Sequence, residues 1–171
     1  MSNENLNISQ TATHEGQSTR CKNLIFTLAD ERYGIPLSSV KEVICMTDIT
    51  PVPHVPTFFK GLINLRGKII SIIDLRAKLG LSMSKYEPKK TSIIIVDVQD
   101  WVLGAIVDDV SEVAGFEQKQ IEQHLDIQSS VSSKYITGVA KTTDKKLVLL
   151  LDIGSVLSVE ELAIIKERTK L

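Results

Sequence analysis

The chain has 171 residues, 20 Lys+Arg against 21 Asp+Glu, a formal net charge of −1, 43% hydrophobic residues and 24% charged ones. This is an ordinary globular mixture, enough for one domain of usual size or two very small ones. A near-zero net charge argues against a nucleic-acid surface, which leaves a basic excess, and against a polybasic membrane anchor.

The longest apolar runs, such as Ile93–Val96 and Leu147–Leu151, fall far short of the roughly 20 residues that a bilayer span needs. No charged start followed by an apolar stretch marks a secretory signal. Cys21 and Cys45 form neither a metal-ligand spacing nor a disulfide framework. These features predict a soluble, reduced, cytoplasmic protein without direct membrane insertion.

In chain order, residues 1–20 are polar and aperiodic, so they are expected to form a disordered tail. Structure begins near Asn23, where Leu24, Phe26 and Leu28 alternate with Ile25 and Thr27, turns at Asp30-Glu31-Arg32 and resumes at Tyr33-Gly34-Ile35. Ser38 or Ser39 is placed to cap a short helical turn with Val40 and Val43 on one face. Pro51, Pro53 and Pro56 keep the next connection extended. Strands are predicted at Gly61–Leu65, Lys68–Ile73, Ser92–Val98, Trp101–Val107, Thr137–Lys141 and Leu147–Leu151, with polar breaks at 82–90 and 125–134. The segment 158–171 is the one long helix. Ser158 and Glu161 make its capping box, and Lys166, Arg168 and Lys170 suit the negative end of its dipole.

A repeat underlies this pattern. A shift of 70 residues lays 23–43 over 93–113, matching Asp30 with Asp100, Gly34 with Gly104, Val40 with Val110, Glu42 with Glu112 and Val43 with Val113. Gly61, Asp74 and Leu79 then correspond to Gly138, Asp152 and Leu157, and each apolar run ends in Asp. Residues 21–157 therefore read as two similar β units, about 21–85 and 86–157, small enough to need a common core. Closure into barrels would remove their exposed edges.

Little catalytic chemistry is on offer. Asp74 and Asp152, ending strands in duplicated units, are the sharpest lead: a shared carboxylate dyad of the aspartic-hydrolase kind. The following residues, Leu75-Arg76 and Ile153-Gly154, lack the Ser/Thr-Gly loop such a dyad uses. The plainer reading makes each Asp a helix cap. His14, His54 and His124 have no metal-ligand partners at suitable spacing, so no metal or cofactor is expected. The segment 61–76 is more telling. Gly67 permits a tight turn, Asn64 can bond the turn backbone, and Arg66 projects from a rigid β edge with Glu42 as one candidate partner. An ordinary surface arginine is the alternative there.

TPVPHVPTFFKGLINLRGKIISIIDLRAKLGL (50–81) resembles the signature of CheW-type chemotaxis coupling proteins. Segments 26–44, 102–113 and 135–153 fit the same pattern in the same order, and Ser71 stands where a proline is common. The resemblance implies a mainly β fold: two five-stranded SH3-like barrels with strands exchanged between them around a shared hydrophobic core, plus the C-terminal helix. It implies a non-catalytic adaptor that bridges the cytoplasmic helical tip of chemoreceptors to the regulatory domain of the histidine kinase CheA. Recruitment to membrane-associated arrays and ring contacts with CheW-like domains would follow. Val40, Val43, Val110 and Val113 would line or support a groove between the barrels, though plain core packing also accounts for them. Glu42, Asn64 and Arg66 would shape its rim, and Gly61 would allow close backbone approach. A CheW-like adaptor of another motility or signalling system fits the same residues.

Overall fold

In the computed structural model, residues 20–123 and 133–169 are described; the tail before Arg20, most of the Ser-rich break, His14 and His124 lie outside them. Two equivalent hairpins set up the fold. The first joins β1 (Cys21–Leu28) to β2 (Glu31–Pro36) through Ala29 and Asp30, at φ 47° and 68°. The second joins β6 (Ser92–Val98) to β7 (Trp101–Val107) through Gln99 and Asp100, at φ 49° and 64°. Two consecutive left-handed residues make the hairpin turn whose twist matches that of the strands, so the repeated aspartate marks repeated turn chemistry.

The remaining strands are β3 (Val40–Cys45), β4 (Phe59–Leu65), β5 (Lys68–Asp74), β8 (Asp109–Phe116), β9 (Ile121–Glu122), β10 (Ile136–Lys141) and β11 (Leu147–Leu151). They form a five-stranded sheet, β3-β6-β7-β5-β4, and a six-stranded sheet, β8-β1-β2-β11-β10-β9. The hairpin of each repeat therefore lies in the sheet finished by the other repeat. β1 pairs with β8 and β6 with β3, while the parallel contacts β5–β7 and β11–β2 correspond to one another. One sheet takes residues 40–107 as a block; the other takes 21–36 and 109–151.

Neither ladder closes fully into the barrel that the resemblance implied. In the five-stranded sheet, Thr50 exchanges hydrogen bonds of 2.9 and 2.8 Å with Leu62 on β4, so the chain leaving β3 bends round to the opposite edge. In the other, β8 passes through a 3-10 turn at Gln118–Gln120 into β9, which pairs with β10.

Each sheet curls over a small core of its own. The five-stranded sheet packs Ile63, Ile70, Ile72, Ile93, Ile95 and Ile106; the six-stranded sheet packs Ile25, Phe116, Ala140, Val148 and Leu150. The larger core lies between them, where Phe26, Leu28, Tyr33 and Ile35 meet Ile73, Ile94, Val96 and Ala105. Alternation explains the division: Ile93 and Ile95 point to one face of β6, Ile94 and Val96 to the other.

The expected helical turn carrying Val40 and Val43 is instead a 3-10 turn at Leu37–Ser39 followed by β3, with no side-chain cap from Ser38 or Ser39. Val40, Val43 and Ile44 are β-branched and have a strand, β6, to pair with, which outweighs a weak local cap signal. The C-terminal helix α3 (Val159–Thr169) begins with the reciprocal Ser158–Glu161 box, at 2.8 and 3.1 Å, and buries Leu162 and Ile165. Ser71 is buried, and its hydroxyl lies 2.6 Å from Thr169 Oγ1. Because Thr169 donates to the Ile165 carbonyl, Ser71 is the donor in that pair, a bond that proline could not make.

Candidate functional site

Val40, Glu42 and Val43 lie on the edge strand β3 of one sheet and Val110 and Val113 on the edge strand β8 of the other, while Gly61 and Asn64 lie on β4 and Arg66 in the turn after it. Both edge strands carry the same irregularity. Between Val40 and Glu42 the pairing with β6 slips by one residue, and between Val110 and Glu112 the pairing with β1 does the same. A bulge of this kind bends an edge strand and re-aims its side chains. Val40 and Val110 pack, half-buried, against the core between the sheets, whereas Val43 and Val113 are 41% and 50% exposed. The four valines thus divide into an inner and an outer pair.

Arg66 and Gly67 form the two-residue turn between β4 and β5, at φ 51° and 85°, and Asn64 Oδ1 accepts the Gly67 N–H at 2.8 Å. This turn carries the Arg66 side chain back over β3. Its two terminal nitrogens donate to both Glu42 carboxylate oxygens at 2.8 Å, while the arginine side chain stays 72% exposed. The fork geometry holds both groups in one orientation. The guanidinium keeps the Glu42 carboxyl below its ordinary range, and the carboxylate raises Arg66 in turn.

Gly61 lies within β4. It is buried at φ 141°, and an added Cβ would lie 2.0 Å from the Thr50 carbonyl oxygen. The close approach that it allows is that of Thr50's own backbone, which bridges to Leu62 on the edge strand β4. Asp74 and Asp152 each accept a backbone N–H at 3.0 Å, from Arg76 and Gly154, and cap helices α1 (Leu75–Leu79) and α2 (Ile153–Val156). They end strands of different sheets and have separate partners: Tyr86 for the buried Asp74, Ser155 for the exposed Asp152. That is not the geometry of a dyad sharing a proton. Among the described residues, no group of three His, Cys, Asp or Glu side chains is placed to hold a metal ion.

Two features escaped the sequence reading. Glu112, matched to Glu42 by the repeat, has its own arginine: Arg32 on β2 donates to it at 2.7 Å. A depression of about 560 Å³, lined by Cys21, Lys22, Asn23, Pro36, Leu37 and Ser38, lies beside the passage from β2 to β3. None of the four valines lines it.

The fold is one of two exchanged β units that present one edge strand each, β3 and β8, with matching bulges. The sequence pattern of the CheW-like domain family matches residues 22–161. Chemotaxis protein CheW of Klebsiella aerogenes is 34% identical over 155 residues, covering 91% of this chain and 92% of that protein. Its counterpart in Thermotoga maritima is 34% identical over 141 residues, covering 82% and 89%. The crystal structure of the scaffolding protein TtCheW from Thermoanaerobacter tengcongensis superposes with a TM-score of 0.76 at 34% identity, covering 83% of this chain and 95% of that one. The chain belongs to the CheW family. It is a non-catalytic chemotaxis adaptor. Among the described residues, no helix is long and apolar enough to cross a membrane.

Proposed function

We propose that this chain couples the cytoplasmic tip of chemoreceptors to the regulatory domain of CheA and is recruited by them to membrane-associated arrays. The observation that carries the reading is the Glu42–Arg66 clamp beside Val43, with the exposed Val113 on the matching edge of the other sheet. An amphipathic helical tip needs apolar positions within a polar rim, and these residues supply both. The rim is rigid because Arg66 stands in a hydrogen-bonded turn.

The kinase domain would take the far end of the five-stranded sheet. There Met46, Ile49, Tyr86 and Pro88 line a depression with Asp48 and Lys60 at its margin. Two different binding faces on one chain allow head-to-tail contacts, and head-to-tail contacts between CheW-like domains can close into rings. Weak individual contacts would gain strength from repetition within the array.

Arg66→Glu tests this directly. It sets two carboxylates against one another at the rim and touches no core residue. The variant is expected to retain the wild-type circular dichroism spectrum and to lose stimulation of kinase autophosphorylation in a reconstituted receptor–CheA mixture. Full stimulation by a folded Arg66→Glu protein would remove Arg66 from the interface, and a collapse of folding would make it structural.

A further inference from the structure

Arg76 is 1% exposed, among the least accessible side chains of the described residues, although it is the second residue of a five-residue helix. One terminal nitrogen lies 2.9 Å from Asp108 Oδ1 and donates to Ser84 Oγ at 2.7 Å. The other lies 3.5 Å from Asp74 Oδ2, which also accepts the Tyr86 hydroxyl at 2.7 Å. The guanidinium carbon sits 5.2 Å from the centre of the Tyr86 ring. Among the described residues, Arg76 Nε has no hydrogen-bond partner.

Position gives this cluster its meaning. The chain crosses between the sheets twice, at Leu37–Ser39 and at Asp108, which falls between the end of β7 and the start of β8. At the second crossing, Asp108 Oδ2 accepts the Ala29 N–H at 2.8 Å and the Asp108 N–H donates to the Thr27 carbonyl at 3.1 Å. Both partners belong to the first hairpin of the six-stranded sheet. Asp108 thus holds that sheet with its backbone and one oxygen, and holds Arg76 of the five-stranded sheet with the other. The repeat offers a contrast, because Gly154 follows the second capping aspartate where Arg76 follows the first, and Asp152 is exposed. The ionic cluster was built once, at a crossing.

We infer that Arg76 is a positioning residue: through Asp108 it fixes how the two sheets are set against one another, and with that the spacing of the edge strands β3 and β8. Stability alone is a poor reason to bury this cluster, since apolar residues of similar volume commonly serve as well or better. What a planar fork provides beyond apolar packing is direction. It ties Asp74, Ser84 and Asp108 into one arrangement, and lysine, with a single ammonium group, cannot reproduce it. The consequence for binding rests on the proposed receptor-facing role of β3 and β8; the geometric claim does not.

Spin labels on the native Cys45 of β3 and on Val113→Cys of β8, in a Cys21→Ser background, report the spacing between the sheets. Labels on Cys45 and Lys68→Cys report a spacing within the five-stranded sheet. With Arg76→Lys, the narrow Cys45–Val113→Cys distance distribution is expected to broaden while the within-sheet distribution stays unchanged. Asp108→Asn, which retains an oxygen for Ala29, is expected to do the same and serves if Arg76→Lys does not fold. The unlabelled folded variant is also expected to co-sediment less with receptor-containing membranes than the wild type. An unchanged inter-sheet distribution, or equal broadening of both, overturns the inference. Failure of the wild-type chain to co-sediment would instead count against the receptor reading and leave the distance result standing.

Discussion

Replacing Gly61 by alanine tests whether the five-stranded sheet depends on the return of the chain at Thr50. The backbone there has φ 141°, a region that L side chains rarely adopt, and the new Cβ would lie 2.0 Å from the Thr50 oxygen and 2.7 Å from its carbonyl carbon. Both obstacles are backbone, so no rotamer change relieves them. Strained φ/ψ alone costs about 1–3 kcal/mol. Moving Thr50 away also breaks its reciprocal hydrogen bonds with Leu62, each contributing about 1 kcal/mol. The expected loss is therefore about 3–5 kcal/mol, out of a total stability of about 5–15 kcal/mol. For a chain of this length 1 kcal/mol moves the melting temperature by about 2–4 °C, so Gly61→Ala should lower it by roughly 10 °C. Gly67→Ala is the control: it too has positive φ, at 85°, but an added Cβ meets nothing within 4 Å. Only the left-handed backbone penalty of about 1–2 kcal/mol remains there. Urea unfolding of both variants with unchanged slope gives the comparison. A Gly61→Ala protein no less stable than Gly67→Ala would refute the claim that the Thr50 approach requires glycine.

The repeated glycines should respond unequally to the same substitution. A Cβ at Gly104 would meet Ile72 at 2.4 Å and Ile93 at 2.8 Å, whereas at Gly34 its nearest neighbour, Leu150, is 3.1 Å away. Gly104→Ala should cost about 1–3 kcal/mol by overpacking and Gly34→Ala clearly less; equal unfolding midpoints would contradict the packing difference. The clasp on α3 predicts a pH dependence. Burial works to raise the Glu161 carboxyl, but the hydrogen bonds from Lys78 and the Ser158 N–H hold it below its ordinary value overall. A carboxyl lowered by folding adds stability that is fully present above the unfolded pKa and lost as pH falls through the folded one. The stability gap between wild type and Glu161→Gln should therefore be widest near neutrality and close progressively below about pH 4.3. A gap that persists undiminished at acid pH would show that the Glu161 charge contributes nothing.

The sequence revealed elements better than partners, for a physical reason. Alternation and turn residues are local signals, and they place β6, β7 and β11 at the bounds that the structure has. The repeat of 70 residues was legible because identical turns and bulges need similar residues. Pairing of β1 with β8 and of β3 with β6 leaves no local trace: within each repeat, either hairpin presents the same apolar pattern to either sheet. Exchange between the units entered with the family resemblance. The misread segment at Val40 shows the converse, a serine cap signal overruled by a strand that a distant partner completes. Glu42 is open to naming as one candidate partner for Arg66 through its place beside the apolar pair Val40 and Val43. Arg76 could not be singled out, since nothing near it in the chain reveals that Asp108 lies beside it.

The duplication also explains where the site is asymmetric. Both units have the same first hairpin turn, the same edge-strand bulge and a capping aspartate, so the frame is close to twofold. The two edges nevertheless differ in their polar contacts. The differences fall on arginines. Glu42 takes Arg66 from a turn in its own unit, whereas Glu112 takes Arg32 from a strand of the other; Arg76 has a glycine as its counterpart. Arginine suits this task because its fork can be aimed at a carboxylate from a new direction without disturbing the apolar frame beneath. The repeated valines and glycines keep two sheets foldable by one set of rules, while Arg66 and Arg32 distinguish the two edges and Arg76 marks the crossing between the sheets.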